Sequence, residues 1–166
     1  MKSKTWVLVL LLLVSLCVVS CKEDKSEFSP RIISSFFLLN NQDTLLLKYD
    51  SIATVYVLDT IHINDTVNHA IACATYANTL LSVVLTQDGE SVKTEVLYDD
   101  QILSAVSSSA EEVQNGNLVF NPYYNGVSFP VRMSALKSGR TDITWTVSSD
   151  SKYSPSMLKF RVVVKE

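Results

Sequence analysis

The chain has few of the residues on which catalytic and cofactor chemistry usually rests. It holds two histidines, His62 and His69, whereas nucleophilic catalysis needs a serine or cysteine with a histidine and an orienting acid. No serine sits in a Gly-x-Ser-x-Gly elbow. With four glycines in all, nothing resembles the glycine loop that cradles phosphate. Positive charge is also short: 14 Lys and Arg stand against 17 Asp and Glu and gather into no basic patch, which argues against nucleic acid as a partner. His62, His69 and Asp65 could approach one another across a hairpin, but both histidines read as surface residues. Zinc takes sets of three or four ligands, so no metal site and no cofactor are assigned. The acid pairs Asp99-Asp100 and Glu111-Glu112 read as solvated faces, because a glycosidase pair must flank a scissile bond from two sides.

One long apolar run is present, and it stands at the start. Lys2 and Lys4 supply a basic beginning, residues 6–14 a continuous apolar stretch, and Val18-Val19-Ser20 a break before Cys21, the three-part form of an export signal. The run is shorter than the roughly 20 residues a membrane span needs. A branched aliphatic three residues before a cysteine, with a small residue directly before it, resembles the bacterial lipobox. That resemblance implies cleavage after Ser20 and acylation of Cys21 on its thiol and new amine. Each buried methylene contributes about 0.8 kcal/mol, so several chains hold a protein on a membrane in effect permanently. Lys22-Glu23-Asp24 resembles the lysine-plus-acids export signal of Bacteroidota lipoproteins carried to the outer face of the outer membrane. This gives three segments: a signal peptide over 1–20, a lipidated tether over 21–30, and a folded domain over 31–166.

In that reading Cys17 leaves with the signal and Cys21 carries lipid, so Cys73 has no disulfide partner. It lies in Ala70-Ile71-Ala72-Cys73-Ala74, where a cysteine behaves as a small buried hydrophobe. The remaining length is one domain's worth and large enough to bury a stable core without cross-links.

Along the domain, short apolar runs rich in branched residues recur between turn signals, with little helical periodicity. Strands are expected over 32–39, 44–49, 52–58, 61–64, 67–76, 80–86, 92–98, 118–120, 128–135, 143–147 and 158–164. Asp88-Gly89 reads as a hairpin turn joining the strands on either side of it. Residues 99–106 suit a short helix and 107–117 a polar loop. Pro130 marks its strand as an edge or a bulge. Trp145, alternating with Thr144 and Thr146, reads as a core residue. The pattern predicts an all-β, immunoglobulin-like antiparallel β-sandwich of about seven to nine strands with one short helix. The closing stretch, Ser128-Phe129-Pro130 through Ser138-Gly139 to Thr144-Trp145-Thr146-Val147-Ser148, resembles immunoglobulin-like modules of bacterial surface lipoproteins.

Two features remain. Tyr123 and Tyr124 stand in a turn between Pro122 and Asn125-Gly126, the strongest candidate platform for stacking a ligand. The series Asp43-Thr44-Leu45, Asp50-Ser51-Ile52, Asp59-Thr60-Ile61 and Asp65-Thr66-Val67 resembles the acceptor motif of Bacteroidota protein O-glycosylation, with Thr44, Ser51, Thr60 and Thr66 as acceptors. The same pattern also suits acids that end strands by bonding to nearby backbone. The expectation is therefore a non-enzymatic, surface-exposed outer-membrane lipoprotein acting as a binding or scaffold module. Its partners would be the membrane, through the lipid, and an envelope protein or a glycan. The alternatives are a subunit of a surface fibre, with residues 157–165 as a displaceable strand, and an envelope hydrolase.

Overall fold

The computed structural model describes residues 28–166; the segment read as a signal peptide, Cys21 and the Lys22-Glu23-Asp24 stretch lie outside them. The domain is the expected all-β sandwich. One sheet has six strands: β1 (Arg31–Ser34), β2 (Phe37–Leu39), β3 (Asp43–Leu45), β7 (Thr66–Ala74), β9 (Val92–Val96) and β11 (Gly126–Ala135). The other has seven: β4 (Leu47–Asp50), β5 (Val55–Leu58), β6 (Ile61–His62), β8 (Leu80–Asp88), β10 (Asn117–Val119), β12 (Gly139–Ser149) and β13 (Ser156–Lys165). The orders β2-β7-β11-β9 and β8-β12-β13 reproduce the ABED and CFG layout of immunoglobulin-like domains. One departure from a purely antiparallel sandwich is that β5 and β6 pair with β13 in parallel.

Alternation builds the core. Val67, His69, Ile71 and Cys73 point inward from β7, Phe129, Val131 and Met133 from β11, and Ile143, Trp145 and Val147 from β12. Trp145 is fully buried against Phe129, with ring centroids 5.6 Å apart. Cys73 is buried and free, and burial pushes its thiol up to about 12. β13, expected as a displaceable terminal strand, runs inside its sheet between β12 and the β5–β6 track.

The strand count exceeds seven to nine because all eleven apolar runs form strands and two of them are broken in two. The run over 32–39 becomes β1 and β2 on one track along β7. The register moves from Ser34↔Ile71 to Leu38↔Asn68, so one extra residue is accommodated and Phe36 bulges outward. The run over 44–49 splits at Leu46, where the chain leaves one sheet for the other. Leu46 N–H donates to Asp59 Oδ2 at 2.9 Å and its carbonyl accepts from Asp59 N–H at 3.0 Å, pinning the crossing.

Three expectations are corrected. Asp88 ends β8 and the chain bends at Glu90-Ser91, but β8 and β9 belong to different sheets, so the connection is a crossing and not a hairpin. Gly89 (φ +112°) passes so close to Arg140 O that a Cβ would lie 2.5 Å from it. At the bend, Ser91 N–H and hydroxyl both bond Thr141 Oγ1, which holds the chain to β12. The stretch read as a polar loop holds a second helix. Besides α1 (Asp100–Ala105) there is α2 (Ala110–Gln114), opened by a capping box in which Ser109 and Glu112 each bond the other's backbone. Ser109-x-x-Glu112 carries that signal openly.

The third concerns Pro130: its strand is interior from Val131 onward, and Pro130 itself lies one residue past the last β9 pair, Val131↔Val96, so it is on an edge only toward β9. In an antiparallel strand the N–H and C=O of one residue face the same neighbour. The Pro130 carbonyl accepts from Leu97 N–H at 2.9 Å, so the missing N–H is turned toward the end of β9 and the ladder to β7 loses nothing.

Candidate functional site

The site grows out of that proline. With pairs Val131↔Val96 and Arg132↔Glu95, a longer β9 would set Asp99 opposite Ser128 and Gln101 opposite Gly126. Pro130 offers no donor to hold such an extension, and the chain turns away instead. Asp99 caps α1, its Oδ1 accepting from Ile102 N–H at 2.9 Å and its carbonyl from Leu103 N–H at 3.0 Å. A cleft of about 380 Å³ opens between the helix and β11, lined by Asp99, Gln101, Ser104, Tyr124, Val127 and Ser128 among others. That is near the small end of ligand-site volumes.

The Tyr123-Tyr124 turn borders this cleft through Tyr124 and is fastened on both flanks. Asn121 N–H donates to Ala105 O at 2.9 Å and its side-chain amide to Ser104 O at 3.1 Å, tying the turn to α1. Leu80 N–H donates to Tyr124 O at 2.6 Å, and Thr75 donates to Asn125 O through both its N–H and its hydroxyl. Tyr123, at φ +83°, projects almost wholly into solvent, 96% exposed. Tyr124 leans back toward Phe120, centroids 6.3 Å apart, and keeps one side open to the cleft. Sequence reasoning found both tyrosines but missed Gln101, Ser104 and Ser128, because what gathers them is the parting of β9 from β11.

Elsewhere the predicted residues are not brought together. His69 is buried, a correction to its surface assignment, because it falls in register with inward-facing Val67 and Ile71 on β7. That parity was available in the sequence. His69 Nδ1 lies 2.9 Å from Ser34 Oγ, its ring stacks on Phe37 at 4.6 Å, and burial lowers its pKa to about 4. His62 is exposed, 3.9 Å from Asp65. Among the described residues no group of three His, Cys, Asp or Glu comes together that could hold a metal ion.

Three of the four acids of the glycosylation-like motifs have visible structural work. Asp50 accepts from Ile52 and Ala53 N–H, Asp59 from Leu46 N–H and Lys48, and Asp65 from His62 N–H and Asn40. Hydrogen bonds to the Ala53 and Ile52 amides, the Lys48 ammonium and the His62 amide, respectively, hold these carboxyls below their usual range. Thr44, Ser51 and Thr60 are exposed, and Thr66 is half-buried at the start of β7. Asp99, Asp100, Glu111 and Glu112 are all exposed.

A second hollow, of about 540 Å³, is lined by Gln87, Glu90, Lys93, Thr94 and Asn115 among others. It presents no aromatic ring.

No family model matches the chain, and no curated protein matches it. Among solved structures, it is similar to a family 123 glycoside hydrolase from Clostridium perfringens, described for glycolipid glycan hydrolysis, at 16% identity and TM-score 0.43. That match covers 82% of this chain and 27% of the hydrolase. It is also similar to the CooA pilin subunit from enterotoxigenic Escherichia coli, at 13% identity and TM-score 0.26, over 78% of this chain and 97% of the pilin. At these similarities neither protein's activity nor its assembly transfers to this chain.

Proposed function

We propose that the protein is a lipid-anchored, surface-facing outer-membrane lipoprotein whose sandwich is a binding module acting without catalysis, with the cleft beside Tyr124 as its ligand site. The observation that carries the reading is the cleft itself. A half-exposed aromatic ring, an amide at Gln101 and hydroxyls at Ser104 and Ser128 converge there from a turn, a helix and a strand. The Val18-Val19-Ser20-Cys21 lipobox and Lys22-Glu23-Asp24 support the anchor and its outward facing, and the ligand would be a glycan or a segment of an envelope protein. A scaffold role draws on the same rigidity, since the turn bearing Tyr123 and Tyr124 is bonded to α1 on one side and to Thr75 and Leu80 on the other. The module reading is favoured over a fibre subunit by β13, which is flanked on both sides within its sheet. The four hydroxyls Thr44, Ser51, Thr60 and Thr66 are proposed as sites of O-glycosylation, a decoration separate from the cleft.

The test is binding of the purified full-length protein, in detergent, to arrays of oligosaccharides and of peptides. A specific ligand should be retained by the native protein and lost with Tyr124→Ala. Binding that survives Tyr124→Ala and Gln101→Ala would place the site elsewhere.

A further inference from the structure

The floor of the cleft is an open strand edge, and its pattern specifies one kind of ligand. Pro130 O faces β9, so by alternation the N–H and C=O of Ser128 and Gly126 face the same way. On that side β9 has already ended at Val96 and the chain has turned into α1. On the opposite side β11 is laddered to β7 along Gly126↔Ala74 through Ser134↔Thr66, which uses the alternate residues Val127 and Phe129. No backbone or side-chain hydrogen bond reaches the N–H or C=O of Ser128 or Gly126 from any other element of the described chain. Two donors and two acceptors therefore stand unpaired at strand spacing, about 7 Å apart from one residue to the next but one.

We propose that the cleft binds an extended peptide segment of a partner protein by strand addition, pairing its backbone with Gly126 and Ser128. This rests on the reading of the cleft as the ligand site and names the ligand class. Main-chain bonds supply affinity in such complexes, and alternate side chains supply selectivity. Ile102, Ala105 and Val127 offer apolar contact within the cleft, and Tyr124 closes one end. Asp99 stands on the rim with Asp100 beside it, and no lysine or arginine lines the cleft. The charge complement is a peptide with basic side chains. Unpaired edges invite indiscriminate pairing unless shortened or covered; here the open length is two residues and α1 stands over it, which confines pairing to a segment that fits between helix and strand.

The test uses the full-length protein in detergent and a fluorescein-labelled decapeptide of alternating threonine and lysine, read by fluorescence anisotropy. A second peptide of the same sequence is N-methylated at every residue, so its side chains are kept and its backbone donors lost. The N-methylated peptide should bind at least about tenfold more weakly, each lost hydrogen bond contributing roughly three- to tenfold. Ser128→Pro, which removes a donor the fold does not use, should weaken binding of the unmodified peptide by a similar factor. Where Ser128→Pro does not fold, the methylated peptide and amide exchange in the native protein decide the matter: bound peptide should slow exchange at Gly126 and Ser128. Equal binding of both peptides, or unchanged exchange at those amides, would overturn strand addition. If a neutral oligosaccharide binds in a Tyr124-dependent manner and the peptide does not, strand addition fails while the cleft reading survives. If neither binds, both fail.

Discussion

The N–H of Leu97 donates to the carbonyl of Pro130 at 2.9 Å, and beyond that bond the two strands carrying them part. A proline cannot return the bond, so β9 has nothing to hold it to β11 one step further on. The released chain becomes α1, and the gap it leaves is the cleft. A single residue type in mid-strand thus connects the sheet topology to the site.

Trp145 tests the core. It is fully buried, and its Nε1–H finds no partner among the described residues. Trp145→Ala should cost about 3–5 kcal/mol through lost contacts and the cavity left behind. Trp145→Phe keeps an aromatic ring and removes an unsatisfied donor, so it should cost under about 1.5 kcal/mol. Denaturant unfolding of the two variants measures the difference, and equal losses would contradict this account of the packing.

His69 makes stability fall with acid. Its pKa is lowered by burial from 6.5 to about 4, so between those values the unfolded chain takes up a proton that the folded one refuses. Folding stability is then complete above about pH 6.5 and declines as pH drops toward 4, by on the order of 2 kcal/mol between pH 7 and pH 5. Denaturant titrations at both pH values should show this slope in the native protein and a flatter one in His69→Phe. An unchanged slope in the variant would assign the dependence to other groups.

The proposed anchor rests on Cys21. Cys21→Ala should abolish palmitate labelling and release the protein from membranes, and continued labelling would refute the anchor. Replacing Lys22-Glu23-Asp24 with alanines should keep the label but reduce cleavage by protease added to intact cells.

Glycosylation, if the acceptor motifs are used, should follow access. Mass spectrometry of protein purified from the envelope should find glycan on Thr44, Ser51 and Thr60, which are exposed, and least on Thr66, which is half-buried. Four unmodified hydroxyls would leave the acids Asp50, Asp59 and Asp65 with their backbone bonds as their whole role.

Alternation made the sandwich, its Trp145 core and the burial of Cys73 legible, because a period of two is a local property of the chain. His69 was legible by the same rule, since it shares parity with Ile71. The Asp88-Gly89 crossing was not, because a turn signal specifies backbone angles and not which sheet receives the next strand. What decides it is Thr141, fifty residues away, bonding Ser91. The site was half legible. Tyr123 and Tyr124 stood out as aromatics in a turn, while Gln101, Ser104 and Ser128 join them only through the register of β9 on β11. Pro130 was noticed as an irregularity, yet its effect depends on which neighbour its missing N–H faces.

The cleft beside Tyr124 is proposed to engage a partner at the cell surface. A photo-crosslinking amino acid is placed at position 123, next to the cleft-lining Tyr124, or at position 136, an exposed site just past the far end of β11, and intact cells are irradiated. A discrete adduct is expected from position 123 that disappears when Tyr124→Ala or Gln101→Ala is added, with none from position 136. Adducts of equal yield from both positions, or an adduct from position 123 indifferent to those substitutions, would contradict that engagement.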